Sequence, residues 1–340
     1  MRAGIERKLN RIWYEGQRAP WWLRALVPLY IAGNRLDRWW KLKRRPDDLK
    51  SVFIIVVGNI TVGGSGKTPL VIKICQELRK AGFRPGVISR GYGRKDNSLR
   101  LVSPASDPNS VGDEPLLIAQ RAGVPVIVAK DRCEAARKLV HQGLNVIISD
   151  DGLQHYRLPR DLELCVIDGS RGFGNGLLIP AGPLREPVSC LTSYDQIVVN
   201  GNPDRIPEGL PIISMTFVAG LLRSLESGQS WRLAQFAGCK VNAVAGIGNP
   251  GRFFNLLKQA RIATMEHIFP DHHVFSSADF QGMDPSLPIL MTEKDAVKCK
   301  NLDLPNAWFL SVDALLPWEW EQDLISRVSK GVKPDGSQSS

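Results

Sequence analysis

The hydrophobic pattern from residue 51 onward alternates between short apolar runs and stretches with helical periodicity. Runs such as Val52–Val57 contain no polar interruption, which is typical of strands buried on both faces of a parallel sheet. Apolar positions spaced three and four residues apart follow several of these runs. Strands that alternate with helices predict an α/β fold built on a doubly wound, mostly parallel sheet.

The same pattern sets the expected limits of the elements. We predict strands at 52–57, 84–89, 124–129, 146–151, 162–168, 195–200, 210–217, 241–247, 288–291 and 308–312, and helices at 69–80, 112–120, 131–141, 249–260 and 317–330. The stretches 95–111 and 169–190 are predicted to be loops, the second because it is rich in Gly and Pro. We expect a first lobe at 46–235, a smaller α/β lobe at 236–330 and a disordered tail at 331–340.

Residues 1–45 differ from the rest of the chain. They hold five of the nine tryptophans and carry a net charge of +9, whereas the remaining residues sum to +1. Ile5, Leu9, Ile12 and Trp13 fall on one face of a helix, and the apolar stretch that follows is interrupted by Arg24 and Pro28. It is too short for the roughly 20 residues that a membrane span requires. Tryptophan and basic residues favour the lipid headgroup region, so we predict helices that lie on a membrane surface. The alternative is a helical hairpin packed on the protein's own core.

Composition narrows the class of protein further. Hydrophobic residues make up 43% and charged residues 23% of the 340 positions, which suits a soluble globular protein. The six cysteines are dispersed without a C-x-x-C pair, which argues against a disulfide framework or a zinc site and for a reducing compartment. Because the body of the chain is nearly neutral, we expect no nucleic acid as partner.

The strongest motif lies between the first strand and the first helix of this α/β region. A glycine-rich turn ends in Gly-Lys-Thr, the order that a phosphate-binding P-loop needs, although Thr61 stands where the usual pattern begins with glycine. Backbone N–H groups would surround the phosphates, Lys67 would reach the β- and γ-phosphates, and Thr68 would ligate Mg²⁺. The predicted nucleotide-binding residues are Thr61, Val62, Gly63, Gly64, Ser65, Gly66, Lys67 and Thr68.

Two carboxylates end the strand predicted at 146–151. In P-loop enzymes a second apolar strand delivers an aspartate to Mg²⁺, and Asp150 and Asp151 fit that position. Adjacent carboxylates repel each other, so a cation is expected near them. His155 follows four residues later. The alternatives are a pair of solvated turn aspartates and an ordinary loop histidine.

Acid and histidine groups elsewhere allow two interpretations. Asp113 and Glu114 stand at a predicted helix N-terminus, where acidic residues are favoured without any catalytic role. His272 and His273 follow Pro270-Asp271, and a histidine with a carboxylate partner can act as a general base near neutral pH. Most such histidines are only structural.

Two further motifs are weaker. The stretch 246–251 is a literal G-x-G-x-x-G, but the chain already has a stronger nucleotide motif, so we interpret this one as a strand-to-helix turn. The charged stretch 292–298 follows the end of an apolar strand and is equally consistent with a solvated helix start.

Seven motifs, in order along the chain, resemble those of the tetraacyldisaccharide 4′-kinases, the lipid A 4′-kinases of Gram-negative bacteria. They are the P-loop with its threonine in first position, S-R-G-Y-G-R at 89–94, V-G-D-E-P at 111–115, D-D-G-L-Q-H at 150–155, G-P-L-R-E-P at 182–187, F-P-D-H at 269–272 and M-T-E-K-D-A-V-K at 291–298. The basic, aromatic N-terminus fits this family too.

The resemblance implies transfer of the ATP γ-phosphate to the 4′-hydroxyl of a tetraacylated glucosamine disaccharide 1-phosphate, in a cleft between two lobes. It implies that Asp113 and His272 form a pair that activates this hydroxyl, with Lys67 as a further catalytic residue, and that Asp150 and Asp151 serve Mg²⁺ and the phosphates. Substrate contacts are assigned from its motifs to Tyr92, His155, Arg185 and Glu186. The implied partner is a membrane glycolipid at the cytoplasmic face of the inner membrane, and we expect a monomer.

Two other functions compete with the lipid kinase. A membrane-attached P-loop ATPase of the partitioning type would hydrolyse ATP without an acceptor, but it has no need of an acid–histidine pair in a second lobe. A P-loop kinase acting on a soluble metabolite would keep its activity without residues 1–45.

Overall fold

The computed structural model describes residues 2–94, 96–202 and 206–332, and in the first helix it describes side chains from Lys8 onward. The tail was predicted at 331–340; Gly331 belongs to the last helix, and residues 333–340 lie outside the described range. The side chain of Ile5, predicted on the apolar helix face, also lies outside it.

The described residues form helices and strands that alternate from residue 53 onward. In chain order they are α1 (Arg2–Tyr14), α2 (Trp21–Leu42), β1 (Phe53–Gly58), α3 (Lys67–Lys80), β2 (Pro85–Ser89), β3 (Arg100–Val102), α4 (Pro108–Val111), α5 (Asp113–Ala122), β4 (Val126–Val128), α6 (Arg132–His141), β5 (Val146–Asp150), β6 (Leu162–Asp168), β7 (Gln196–Asn200), β8 (Ile212–Ser224), β9 (Ser230–Arg232), β10 (Lys240–Ala245), α7 (Pro250–Gln259), β11 (Ala263–Ile268), β12 (Ile289–Thr292), α8 (Glu293–Cys299), β13 (Ala307–Leu315) and α9 (Trp318–Gly331). Short 3₁₀ turns lie at Val188–Ser193, Leu233–Phe236 and Ser277–Phe280.

The strands form one mostly parallel sheet, which confirms the predicted α/β class. Its order is β11-β10-β12-β13-β8-β7-β6-β1-β5-β2-β4-β3, with β9 paired to β8. β1 lies between β5 and β6 and is parallel to both. Because Val57 pairs with Asp150 at the carboxyl ends of these strands, the fold places the P-loop beside the two aspartates.

Strand β8 joins the two halves of the sheet. Residues 212–215 pair in parallel with β7, and residues 216–224 pair antiparallel with β13. The strand therefore continues beyond residue 217, where the prediction ended it, because its outer part exchanges one partner for another.

Apolar layers cover both faces of the first half of the sheet. One core includes the inner faces of α3 and α5, and the other includes α6 and side chains from the 169–190 loop. Helix α9 returns to the first half, where Trp320, Leu324 and Val328 join its core. The lobe limits 46–235 and 236–330 stay a prediction. Helix α9, which falls within the predicted smaller lobe, packs on the half of the sheet that carries the P-loop.

Several elements were missed or given the wrong limits. Residues 95–111 were predicted to be a loop, but they include β3 and α4. The pattern also missed β9 and β11, which are short or lie at the edge of the sheet. Because an edge strand is exposed on more sides, its sequence lacks the unbroken apolar run that marks the central strands.

The N-terminal segment divides into two helices with different environments. Ile12 of α1 is buried with Ala181 and Leu23, so the α1 face that we predicted for a membrane packs partly on the protein itself. Helix α2 continues through Arg24 and Pro28, although these two residues interrupt its apolar sequence, because Pro28 removes only one helical hydrogen bond. Apart from the buried Leu23, most of its large apolar side chains are exposed: Trp21, Trp22, Leu26, Leu29, Leu36, Trp39 and Trp40. Among the described residues, every helix is too short or too polar to cross a membrane.

Candidate active site

The P-loop closes one end of a cleft between the two halves of the sheet. Apolar side chains from both halves line the same cleft, including Leu117, Phe217, Phe253 and Leu310. A mostly apolar cleft with a few polar groups at one end is a common form of ligand site. The P-loop backbone supplies the phosphate end.

Local conformation explains the glycines of this loop. Gly66 has φ +100°, and a Cβ there would lie 2.7 Å from the Phe217 ring and 2.8 Å from Asn200 Nδ2. Only glycine meets both constraints. Helix α3 begins at Lys67, so its free N–H groups and the positive end of its dipole face the loop.

Lys67 is held beside the paired aspartates. Its Nζ lies 3.4 Å from Asp151 Oδ1, and Arg185 Nη1 donates to both oxygens of Asp151 at 3.2 Å. Burial disfavours the charge of the Asp151 carboxylate, but Lys67 and then Arg185 outweigh it and hold the pKa below its usual range. Asp151 is therefore ionised and orients two cations.

Asp150 has a different environment. It is the last residue of β5 and is almost fully buried, with Oδ2 accepting from Ser89 Oγ at 3.2 Å and Oδ1 without a hydrogen-bond partner among the described residues. Burial, followed by the charges of Glu114 and Asp151, raises the pKa of Asp150 to about 7. A buried carboxylate oxygen without a partner fits a cation that the site is built to receive.

The predicted acid–histidine pair is present. His272 Nδ1 lies 3.0 Å from Asp113 Oδ2 and 3.1 Å from Oδ1, although the two residues are 159 positions apart. Asp113 is buried at the start of α5, and His272 is partly exposed in a turn with φ +59°. Few residues other than glycine adopt that conformation, so the turn holds the ring in place at some cost in backbone energy.

The charges of the pair support each other. Burial disfavours both charged forms, but Lys294 and His272 hold the pKa of Asp113 below its usual range. The hydrogen bond that His272 Nδ1 donates to Asp113 in turn raises the pKa of His272, although burial lowers it. Nε2 on the other side of the ring lies 3.9 Å from Asp271 Oδ1, too far for a hydrogen bond.

The four predicted substrate residues lie in different surroundings. Tyr92 is exposed, and its ring centroid lies 5.0 Å from that of His272. Arg185 borders the aspartate pair, whereas Glu186 is buried and accepts from Gln154 Nε2 at 2.7 Å. Tyr92 therefore lies next to His272, and Arg185 next to Asp151. Glu186 holds Gln154, which also donates to the backbone oxygen of Asn59 just after β1.

His155 belongs to a separate cluster. Its ligand atoms and those of Asp131 and Cys133 all lie within 4.8 Å of one another, an arrangement that the cysteine spacing did not predict. Asp131 caps α6 through the backbone N–H of Cys133 and pairs with Arg157 at 3.1 Å. Burial and the charge of Arg132 lower the pKa of His155 to about 3, so its ring is neutral.

The glycine motif at 246–251 lies against the P-loop. A Cβ on Gly248 would lie 3.0 Å from the backbone nitrogen of Gly64. From the helix that follows, Arg252 pairs with Asp168 at 2.6 Å, and Asn249 Nδ2 donates to the same carboxylate at 3.2 Å. The stretch is a strand-to-helix turn, as predicted, but it also forms part of the cleft, which its spacing alone did not indicate.

The charged stretch 292–298 is largely buried and forms nearly all of α8, with Thr292 as the N-cap. Asp295 accepts from Thr292 Oγ1 at 2.6 Å and from the backbone N–H of Gly246 at 2.9 Å, and so fixes the glycine turn. Lys294 reaches toward α5. A solvated helix start is therefore wrong for this stretch, whose buried charges could be found only through their partners far along the chain.

Comparisons with known proteins identify a family for this chain. The model of a family described as tetraacyldisaccharide-1-P 4′-kinase matches residues 19–329. A tetraacyldisaccharide 4′-kinase from Hahella chejuensis is 43% identical over 338 residues, with 96% of this chain and 99% of the relative covered. One from Pseudomonas fluorescens is 46% identical over 312 residues, covering 91% and 92%.

A solved structure shows the same fold. The crystal structure of LpxK from Aquifex aeolicus in complex with ATP has a TM-score of 0.72 and 26% sequence identity to this chain, covering 91% of this chain and 99% of the other.

Proposed function

The chain belongs to the tetraacyldisaccharide-1-P 4′-kinase family, and on that premise we propose how its residues carry out the reaction. It is an ATP-dependent kinase that phosphorylates the 4′-hydroxyl of a tetraacyl disaccharide 1-phosphate in lipid A biosynthesis. The observation that carries the mechanism is the pair of Asp113 and His272, assembled across the cleft that contains the P-loop.

ATP binds with its phosphates in the P-loop. The N-terminus of α3 and the backbone of 61–68 surround the phosphates, and Lys67 neutralises charge on the transferred group. Asp151 keeps the Lys67 ammonium in position. The apolar walls of the cleft bind the adenine ring of ATP.

The residues present fit Mg²⁺. Thr68 supplies a hydroxyl in the first turn of α3, and Asp150 supplies a buried oxygen without a partner among the described residues. Asp151 already pairs with Lys67 and Arg185, so Asp150 is the better direct ligand and Asp151 acts from farther away. A bound Mg²⁺ would neutralise phosphate charge.

His272 is the group that takes the proton of the acceptor hydroxyl. With Nδ1–H donated to Asp113, the neutral ring presents Nε2 as the proton acceptor, and Asp113 fixes this tautomer. Asp113 also stabilises the imidazolium that forms as the proton arrives. In this mechanism His272 contacts the acceptor hydroxyl, and Asp113 contacts His272 but not the hydroxyl.

The acceptor enters beside Tyr92 and Arg185. Helix α2 is tied to this region, because Tyr30 Oη and Asn34 Nδ2 donate to the backbone oxygen of Arg185 at 2.9 and 3.2 Å. The same helix exposes its tryptophans, and Lys43 lies 3.8 Å from the ring of Trp39. An interfacial helix in this place would keep the cleft near the leaflet that holds the acyl chains.

We therefore propose peripheral attachment to the cytoplasmic face of the inner membrane, with the protein acting as a monomer. The test compares binding to anionic lipid vesicles for the wild type and for Trp21→Ser/Trp22→Ser. Trp318→Ser is the matched control, since Trp318 is also exposed but lies on α9. We expect only the double variant to lose vesicle binding. Equal binding by all three proteins would contradict the assignment to α2.

Phosphoryl transfer is tested with γ-labelled ATP, Mg²⁺ and a detergent-dispersed tetraacyl disaccharide 1-phosphate. The wild type should move label into the lipid. Asp113→Ala should lose this transfer and still bind ATP, whereas Lys67→Ala should lose transfer with weakened ATP binding. Release of phosphate without an acceptor would contradict the kinase, and full activity in Asp113→Ala would contradict the pair.

A further inference from the structure

Lys294 at the start of α8 makes ion pairs with three carboxylates. Its Nζ donates to Glu114 Oε1 at 2.8 Å and to Asp271 Oδ1 at 3.1 Å, and it lies 3.8 Å from Asp113 Oδ2. The ammonium is largely withdrawn from solvent. A buried cation of this kind is retained only where several anions compensate its lost hydration.

These partners come from both walls of the cleft. Asp113 and Glu114 open helix α5, which belongs to the P-loop half. Asp271 lies in the other half, next to His272, and accepts the backbone N–H of His272 at 3.0 Å. One ammonium therefore contacts the helix that carries the acid and the turn that carries the histidine.

We propose that Lys294 is a positioning residue for phosphoryl transfer, which holds the start of α5 and the turn at Asp271 at the separation that the Asp113–His272 pair requires. The inference rests on the proposed role of that pair. Without the ammonium, three carboxylates would face one another and repel, and the two walls would separate where the chemistry takes place. Lys294 would act through Asp113 and His272, with no contact to the acceptor.

A second ion pair joins the same elements and provides a control. Arg121, in the last turn of α5, donates to Glu293 Oε2 at 2.5 Å and also pairs with Asp313. Like Lys294, it ties α5 to the second half, but it stands two turns of helix away from Asp113. A role limited to holding the halves together would be shared by Arg121 and Lys294.

The pH dependence of turnover separates the two roles. The groups that face His272 are Asp113 from α5, the neighbouring Asp271, Lys294 from α8 and the ring of Tyr92. Burial and the positive charge of Lys294 lower the pKa of His272, and the two carboxylates raise it. Removing the ammonium alone would raise the pKa of His272, whereas moving Asp113 away from the ring would lower it, so the direction of the shift shows which change prevails.

The experiment measures kcat, KM for ATP and the pH profile of kcat for the full-length wild type, Lys294→Met, Lys294→Arg and Arg121→Met. We expect Lys294→Met to reduce kcat by about 10- to 100-fold, the scale of an ångström-sized misplacement, with little change in KM. The acid limb of its pH profile should move to lower pH, because the His272 ring loses part of its contact with Asp113. A shift to higher pH would reflect the lost charge alone and would overturn the positioning role. Lys294→Arg should recover part of the rate, and Arg121→Met should leave the limb where the wild type has it.

Thermal melting shows whether each variant is folded. If Lys294→Met does not fold, Lys294→Gln replaces it, because glutamine keeps an N–H donor without the charge. Equal losses in the lysine variants and Arg121→Met, with unmoved acid limbs, would overturn the proposal. An acid limb that persists in His272→Gln would instead overturn the proposed base. A limb that is lost in His272→Gln but unmoved in a folded Lys294 variant would overturn the role of Lys294 alone.

Discussion

The two walls of the cleft are built in different ways. The phosphate-binding part of the P-loop wall comes from one continuous stretch, 61–68, whose glycines and lysine follow directly from strand β1. The facing wall is assembled from the glycine turn at 246–251, the turn at 270–273 and the start of α8. Local sequence determines the first wall. The second exists only after distant segments have packed together.

The sequence separation between interacting residues shows this difference. The residues that form the P-loop backbone adjoin one another in the sequence, although distant side chains also reach this loop, as Asn200 Nδ2 does when it donates to Ser65 O at 3.4 Å. Across the cleft, His272 and Asp113 are separated by 159 positions, and Lys294 and Glu114 by 180. Substitutions in the two walls should therefore reduce activity for different reasons. In the P-loop wall a charge is lost, and in the facing wall the alignment of the catalytic groups is lost.

The largest effect is expected in the P-loop wall. Lys67→Ala removes the cation that meets the transferred phosphate, and we expect kcat/KM to fall by about 10³-fold or more. Lys73→Ala is the control, because Lys73 lies on the same helix but pairs with Glu77 and Glu321 at 2.9 and 2.7 Å. Comparable losses of transfer in both variants would show that the helix, and not the charge at Lys67, is what matters.

The next largest effect tests the facing wall. His272→Gln should lower kcat by about 10²- to 10⁴-fold, since general-base assistance is lost, while ATP binding is kept. His273→Gln provides the comparison within the same turn, because His273 pairs with Asp279 and stacks on Phe269 away from Asp113. Titration of a fluorescent ATP analogue and steady-state rates give both quantities. A loss in His273→Gln as large as in His272→Gln would point to the turn as a whole.

Sequence patterns predicted the two walls unequally. The P-loop and β6 were placed correctly because each is a local pattern, and Asp150 followed from its place at a strand end. Composition and spacing left Asp113 and His272 open to structural roles, and only the family resemblance joined them. Lys294 was missed, because a lysine on a charged helix start looks solvated until its buried partners are known. The edge strand β11 was missed for a related reason, since its exposed side chains hide the strand pattern.

The pH profile should sharpen the comparison with a smaller effect. Because Asp113 raises the pKa of His272, the neutral ring that accepts a proton is lost as pH falls through a value above its ordinary 6.5. We expect kcat to fall about tenfold per pH unit below that value. In Asp113→Asn the residual activity should lose this limb or show it at lower pH, because the ring no longer has an anionic partner. An unchanged limb would place the titrating group elsewhere.

The smallest effect is expected where the two walls touch. A Cβ on Gly248 would lie 3.0 Å from the backbone nitrogen of Gly64, so Gly248→Ala must displace either the glycine turn or the P-loop by a few tenths of an ångström. We expect KM for ATP to rise about three- to tenfold, well below the cost of an ångström-sized misplacement. Gly251→Ala is the matched control, since a Cβ there meets its nearest neighbour at 3.9 Å and the position lies in the first turn of α7. An unchanged KM in Gly248→Ala would mean that the facing wall shifts without moving the P-loop, so that the two walls act independently in binding ATP. If KM rises in Gly248→Ala but not in Gly251→Ala, the turn at 246–251, which the sequence indicated only as a strand-to-helix connection, determines the shape of the phosphate site.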